Sequence, residues 1–165
     1  MLRGGIILKT PEQLDEMAAA GQIQARCLQM LRAKCRPGVT TEELDIAAKR
    51  FITSQGGEPS FLGYRGFPGS ICASPNSMVV HGIPGPYELE RGDILSIDVG
   101  VTYNGWVADA ALTVGIGEIA PAAEQLLETT EASLHAAVAQ ARPGNHLGDI
   151  SHAVQQRVEQ DGLCA

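Results

Sequence analysis

Apolar positions recur along this chain in two rhythms. Near the start they return every three or four residues, as on one helix face: Leu14, Met17, Ala18, Gly21, Ala25 and Leu28, then Leu44, Ala47, Ala48, Phe51 and Ile52. Each set follows a start signal. Thr10-Pro11-Glu12-Gln13 and Thr40-Thr41-Glu42-Glu43 both place a hydroxyl at the N-cap and a Gln or Glu three residues on, so that each side chain satisfies the other residue's backbone N–H. The pattern predicts a helix from Pro11 to about Lys34 and a second one closed by Gly56, where a left-handed C-terminal residue is needed.

Beyond Gly56 the rhythm changes to short β-rich runs between glycines and prolines. Ser70–Ala73, Met78–Val80, Ile94–Thr102 and Val107–Val114 read as strands. Helical spacing then resumes, from Pro121 to about Ala141 and from about Leu147 to Gln160. The second helix pair repeats the first. Arg36-Pro37-Gly38 returns as Arg142-Pro143-Gly144, and in the same register Leu44 meets Ile150, Ala47 meets Ala153, Ile52 meets Val158 and Gly56 meets Gly162. The first copy carries a β region after its helices, and the second stops three residues past Gly162. The expected organisation is one incomplete domain over 1–165, with 1–115 a complete helix-helix-sheet unit and 116–165 the helical part of a second.

Asn104-Gly105 between two alternating segments is the strongest short-range hairpin signal, a two-residue type I′ turn. With those residues as the loop, Asp98 lies opposite Ala111 and Asp109 opposite Gly100. The two carboxylates are then diagonal neighbours on one face, while Ile97, Val99, Val101, Ala108, Ala110 and Leu112 form the other. Paired carboxylates repel unless a cation, a shared proton or water relieves them. A divalent metal answers that need, although two carboxylates are only part of a ligand set and an Asp at a sheet edge is ordinary. His81, in Val79-Val80-His81-Gly82-Ile83-Pro84, fits a turn as well as a site, and the aromatics in Leu62–Ser70 suit a pocket loop or a plain surface loop.

Composition narrows the classes. The 165 residues suit one domain, and 44% apolar with 19% charged residues describes a folded, water-exposed chain. A net charge of −7 argues against nucleic acid as a partner. No apolar run approaches the length of a membrane span, and Met1–Pro11 has no leader-like apolar stretch, so a cytoplasmic protein is expected. Cys27, Cys35, Cys72 and Cys164 form no CxxC pair and read as reduced thiols.

Taken in order, Leu62–Ser70, the run Ile71–Pro84 ending in His81-Gly82-Ile83-Pro84, then Gly92–Gly100 and Gly105–Ala110, resemble the type I methionine aminopeptidase family. The likeness covers essentially the whole chain, and the His-Gly-Ile-Pro ending separates that family from related pita-bread enzymes such as prolidases. Two departures bear on substrate preference: Ser77-Met78 where Glu-Val is usual, and Phe61 where a small residue or Cys is common. The resemblance implies an α+β pita-bread fold (creatinase/aminopeptidase-like) of two pseudo-symmetric halves, here truncated to a complete first half and the helices of the second. It implies a hydrolase that removes N-terminal methionine from nascent polypeptides using water activated by two divalent metal ions (Co, Mn, Fe or Zn). In that family five side chains hold the metals; two match Asp98 and Asp109, and the His and two Glu would lie beyond Ala165. His81 would contact substrate or pass a proton at the scissile amide, and Phe61, Tyr64 and Phe67 would line the slot for the methionine side chain. With two of five ligands the chain alone is expected to be nearly inactive, with an uncovered apolar sheet prone to self-association. The rival is a catalytically dead module that holds a peptide or the ribosome.

Overall fold

The computed structural model describes residues 7–164, so the first six positions of the stretch read for a leader lie outside the described residues. The four helices fall where expected and the chain has four strands, of which Glu58–Pro59 was not expected: α1 (Pro11–Lys34), α2 (Thr41–Ser54), β1 (Glu58–Pro59), β2 (Cys72–Pro75), β3 (Ile94–Tyr103), β4 (Trp106–Gly115), α3 (Pro121–Gln140) and α4 (Leu147–Gln160). Both capping boxes form. Thr10 Oγ1 accepts the Gln13 N–H while Gln13 Oε1 accepts the Thr10 N–H, and Thr40 and Glu43 do the same. The chain divides into two compact units between Gly117 and Glu118.

In the first unit β3 is the central strand of an antiparallel sheet. β4 pairs along its full length on one side; on the other, β1 pairs with Val101 and Thr102 and β2 with residues 95–98. The hairpin turns at Asn104 and Gly105, whose φ angles of 50° and 80° are the left-handed pair a type I′ turn requires. Leu95, Ile97, Val99 and Val101 of β3 are buried against Ile23, Cys27, Leu28 and Leu31 of α1 and Leu44, Ala48 and Ile52 of α2. Each such Leu, Ile or Val side chain contributes about 1.5–3 kcal/mol by leaving water. In the second unit α3 and α4 pack on each other, tied by Thr129 Oγ1 donating to the Asp161 carboxylate and by Arg157, 2.7 Å from the same oxygen.

Three expectations are corrected. On α1 the buried stripe is Ala20, Ile23, Gln24, Cys27, Leu28 and Leu31, so only Leu28 of the predicted set is fully enclosed. The sheet lies under the later turns of the helix, and Gln24 is drawn inward because its amide donates to the Ala110 carbonyl at 3.1 Å. β2 begins at Cys72 rather than Ser70, because the Ser70 and Ile71 N–H groups bond the Asp45 carboxylate at 2.6 and 3.0 Å instead of a strand. Met78–Val80 is not a strand. It is an exposed loop, with Val79 84% and Val80 61% accessible. Among the described residues the large exposed apolar side chains are scattered over loops and helices, with Met78, Val79 and Val80 on this loop and Leu126, Leu134 and Val138 on α3, while the strands contribute Val107 alone.

Candidate metal centre

The hairpin alternation gives its two faces opposite character. One is the apolar core face; the other carries Ser96, Asp98, Gly100 and Thr102 of β3 and Val107, Asp109, Ala111 and Thr113 of β4. Asp98 pairs with Ala111 and Asp109 with Gly100, so the carboxylates are diagonal neighbours, and Ser96 and Thr113 hydrogen-bond on the same face at 2.9 Å. The Asp98 carboxyl is pushed up to about 6, by burial first, then by a hydrogen bond its protonated form shares with Asp109, then by the like charge of Asp109. The His81 imidazole is near enough to pull it the other way.

Asp98 Oδ1 is buried with no hydrogen-bond partner. A buried carboxylate oxygen without a donor is costly unless a cation or proton meets it. The donor set is therefore suited to a hard divalent ion, and it supplies part of a shell: among the described residues no group of three or more His, Cys, Asp or Glu side chains is gathered to hold a metal.

Of the aromatic loop residues, Phe61 reaches the same face. The Phe61 ring lies against Gly100, where a Cβ would come within 2.6 Å of Cε1, so only glycine opposite Asp109 admits the ring. Tyr64 and Phe67 lie on the same loop, in and just after a 3₁₀ turn (Tyr64–Gly66), closed by Gly63 N–H to Phe67 O at 2.8 Å and Phe67 N–H to Tyr64 O at 2.9 Å. Phe67 is half-buried and Tyr64 is exposed, with the Arg65 guanidinium over its ring. His81 is reached differently. Its backbone sits at φ +60°, a region that costs a non-glycine residue roughly 1–2 kcal/mol. The next residue, Gly82, is fastened to β2: its carbonyl accepts the Ala73 N–H at 3.0 Å and its own N–H donates to Ser74 Oγ at 3.0 Å. A Cβ at Gly82 would stand 2.1 Å from the Ala73 carbonyl oxygen.

Sequence reasoning missed Cys72. It pairs with Asp98 across β2 and β3, is buried, and its thiol is pushed up to about 11, by burial first and then by the charges of Asp98 and Asp109. Its place on the carboxylate face depends on the β2–β3 register, which no local signal in the chain encodes. His135, His146 and His152 lie on α3, α4 and the turn between them, in the second unit.

The profile of metallopeptidase family M24 covers residues 15–165. The chain belongs to this family. Its relatives include the methionine aminopeptidase of Clostridium perfringens, 50% identical over 158 residues, which are 96% of this chain and 64% of that protein. Methionine aminopeptidase 1 of Bacillus subtilis is 49% identical over 156 residues, covering 94% and 63% of the two chains. Among solved structures, the methionine aminopeptidase of Thermotoga maritima superposes with a TM-score of 0.93 at 35% identity, over 96% of this chain and 64% of that one. The fold is thus the α+β pita-bread fold of these M24 enzymes, represented here by one sheet-bearing unit and a second helix pair. The chain spans less than two thirds of the length of each of these relatives. M24 members are metallopeptidases, which accords with the acceptor-only chemistry of Asp98 and Asp109. No helix among the described residues is long and apolar enough to cross a membrane.

Proposed function

We propose that this chain provides the two-aspartate side of a methionine aminopeptidase centre, acting on peptides with N-terminal methionine. The observation that carries the reading is the buried, donor-free Asp98 Oδ1 beside Asp109. Divalent ions bound to such a pair supply Lewis-acid activation of water and of the scissile carbonyl. Asp98 and Asp109 contribute the negative charge and fixed spacing that attract those ions. His81, within electrostatic reach of Asp98, contacts the substrate or passes a proton at the scissile amide nitrogen. Phe61, held beside Asp109 by Gly100, forms the slot wall with Tyr64 and Phe67 and keeps water from the apolar methionine side chain.

Two carboxylates fill too little of a divalent ion's shell to hold a metal pair. The chain alone therefore binds metal weakly and turns over slowly. Calorimetric titration with Mn²⁺ or Co²⁺, with methionine release from Met-Ala-Ser followed in parallel, tests this. Weak metal binding that Asp98→Asn abolishes supports the reading. Two tightly held ions per chain would overturn the incomplete shell, and peptide binding with no methionine release even when metal is held would favour a peptide-holding module.

A further inference from the structure

We propose that Ser74 is a positioning residue for His81, acting through the Gly82 amide. The inference rests on the role given to His81 above. Two hydrogen bonds fasten Gly82 to β2, and they differ in kind. The bond from the Ala73 N–H to the Gly82 carbonyl is backbone to backbone and does not depend on the side chain at position 74. The bond from the Gly82 N–H exists only because residue 74 carries a hydroxyl.

The Gly82 N–H belongs to the peptide plane shared with His81. His81 occupies the left-handed region at φ +60°, and relaxing toward an extended backbone swings that plane and its N–H away. Ser74 is 3% exposed, so no bulk water replaces its oxygen as acceptor. The residues just before His81 offer no second hydrogen-bond anchor: Val79 and Val80 are exposed, and among the described residues the other backbone bonds of the loop, Met78 N–H to Pro75 O and Asn76 N–H to Ile94 O, lie further back. Contact with the Ala73 carbonyl fixes where Gly82 sits, while the Ser74 hydroxyl fixes how the 81–82 plane is turned. That turn sets the direction in which the His81 side chain leaves the backbone, within electrostatic reach of Asp98.

The test compares the full chain with Ser74→Ala and Ser74→Thr by NMR, each with and without Asp98→Asn. In the parent chain Asp98→Asn shifts the His81 imidazole resonances. With Ser74→Ala the Gly82 amide exchanges at least about tenfold faster and the imidazole response to Asp98→Asn falls by half or more, while Ser74→Thr, which keeps the hydroxyl, retains both. An imidazole response unchanged by Ser74→Ala, or lost equally in Ser74→Thr, overturns the proposal. Should Ser74→Ala not fold, Ser74→Cys, similar in size with a weaker acceptor, is judged by the same criteria. Adding Met-Ala-Ser to the same samples separates the two claims. If the peptide leaves the parent His81 resonances unmoved, the substrate role of His81 fails while the exchange and imidazole readouts still decide what Ser74 does.

Discussion

The two helix pairs share a backbone plan and differ in what they rest on. α2 and α4 are each 14 residues long; Gly38 and Gly144 turn at φ 88° and 95°, and Gly56 and Gly162 at 78° and 74°. The same positions are buried in both: Ile23, Cys27, Leu31 and Ile52 in the first pair, Thr129, Ser133, Ala137 and Val158 in the second. Ile23 and Leu31 correspond to the polar Thr129 and the small Ala137, and a Thr129–Asp161 hydrogen bond takes over where Ile23 packs. Other positions reverse, Gln24 and Thr41 being buried where Thr130 and Leu147 are exposed. Ala20 and Leu28 are enclosed where a sheet is present; their counterparts Leu126 and Leu134 are exposed in the pair without one. Helix formation is thus local, decided by caps and glycines, whereas burial is decided by the sheet.

The largest expected break in this comparison is a matched truncation. Leu28→Ala removes a side chain that is 7% exposed and is expected to cost about 2–4 kcal/mol in urea unfolding. Leu134→Ala, at 57% exposure, is expected to change stability by no more than about 0.5 kcal/mol. Equal costs would show that the second pair is packed as the first is. Next comes the cap. Thr40→Ala deletes the acceptor for the Glu43 N–H, and should cost about 1 kcal/mol by the same measurement.

The carboxylate face is where the sheet-bearing unit carries a cost the helical unit lacks. Because the Asp98 carboxyl sits near 6 in the folded chain against 3.8 ordinarily, the folded state holds more protons between those values, and stability falls as pH rises through that window. Asp98→Asn is therefore expected to raise the melting temperature in chelator at pH 7, by no more than about 1 kcal/mol equivalent since the group is half in solvent, with the gain gone below pH 3.8. A gain that persists unchanged at pH 3 would show that ionisation is not its source. The smallest effect repairs the weaker cap. His146 occupies the N-cap of α4, where Asp149 accepts its N–H at 2.7 Å but no hydroxyl answers. His146→Ser should add a few tenths of a kcal/mol or more, visible as slower amide exchange in the first turn of α4.

Much of this was legible locally. Thr10, Thr40, Pro121 and the glycines that end α2 and α4 mark helix boundaries because capping involves neighbours within four residues. Asn104-Gly105 places the hairpin, and with it the shared face of Asp98 and Asp109, because a two-residue turn sets the whole register. The phase of α1 was not legible: Leu14, Ala18 and Ala25 keep helical spacing, yet only the position of the sheet selects which stripe is covered. Val79 and Val80 have strand-forming side chains but find no strand to pair with, since the chain from Pro75 to Gly82 turns back on β2.

By itself, then, the amino-acid order determined the four helices, the hairpin, the repeat and the carboxylate pair, each a product of short-range sterics and hydrogen bonding. Tertiary structure alone decided that Phe61 lies on Gly100, that Cys72 faces Asp98, and that Ser74 holds the peptide beside His81. Those juxtapositions join residues 8 to 39 positions apart, and no local preference links them. They come from the pairing of β2 with β3 and the close approach of glycine backbone, which the chain settles only when its core is buried.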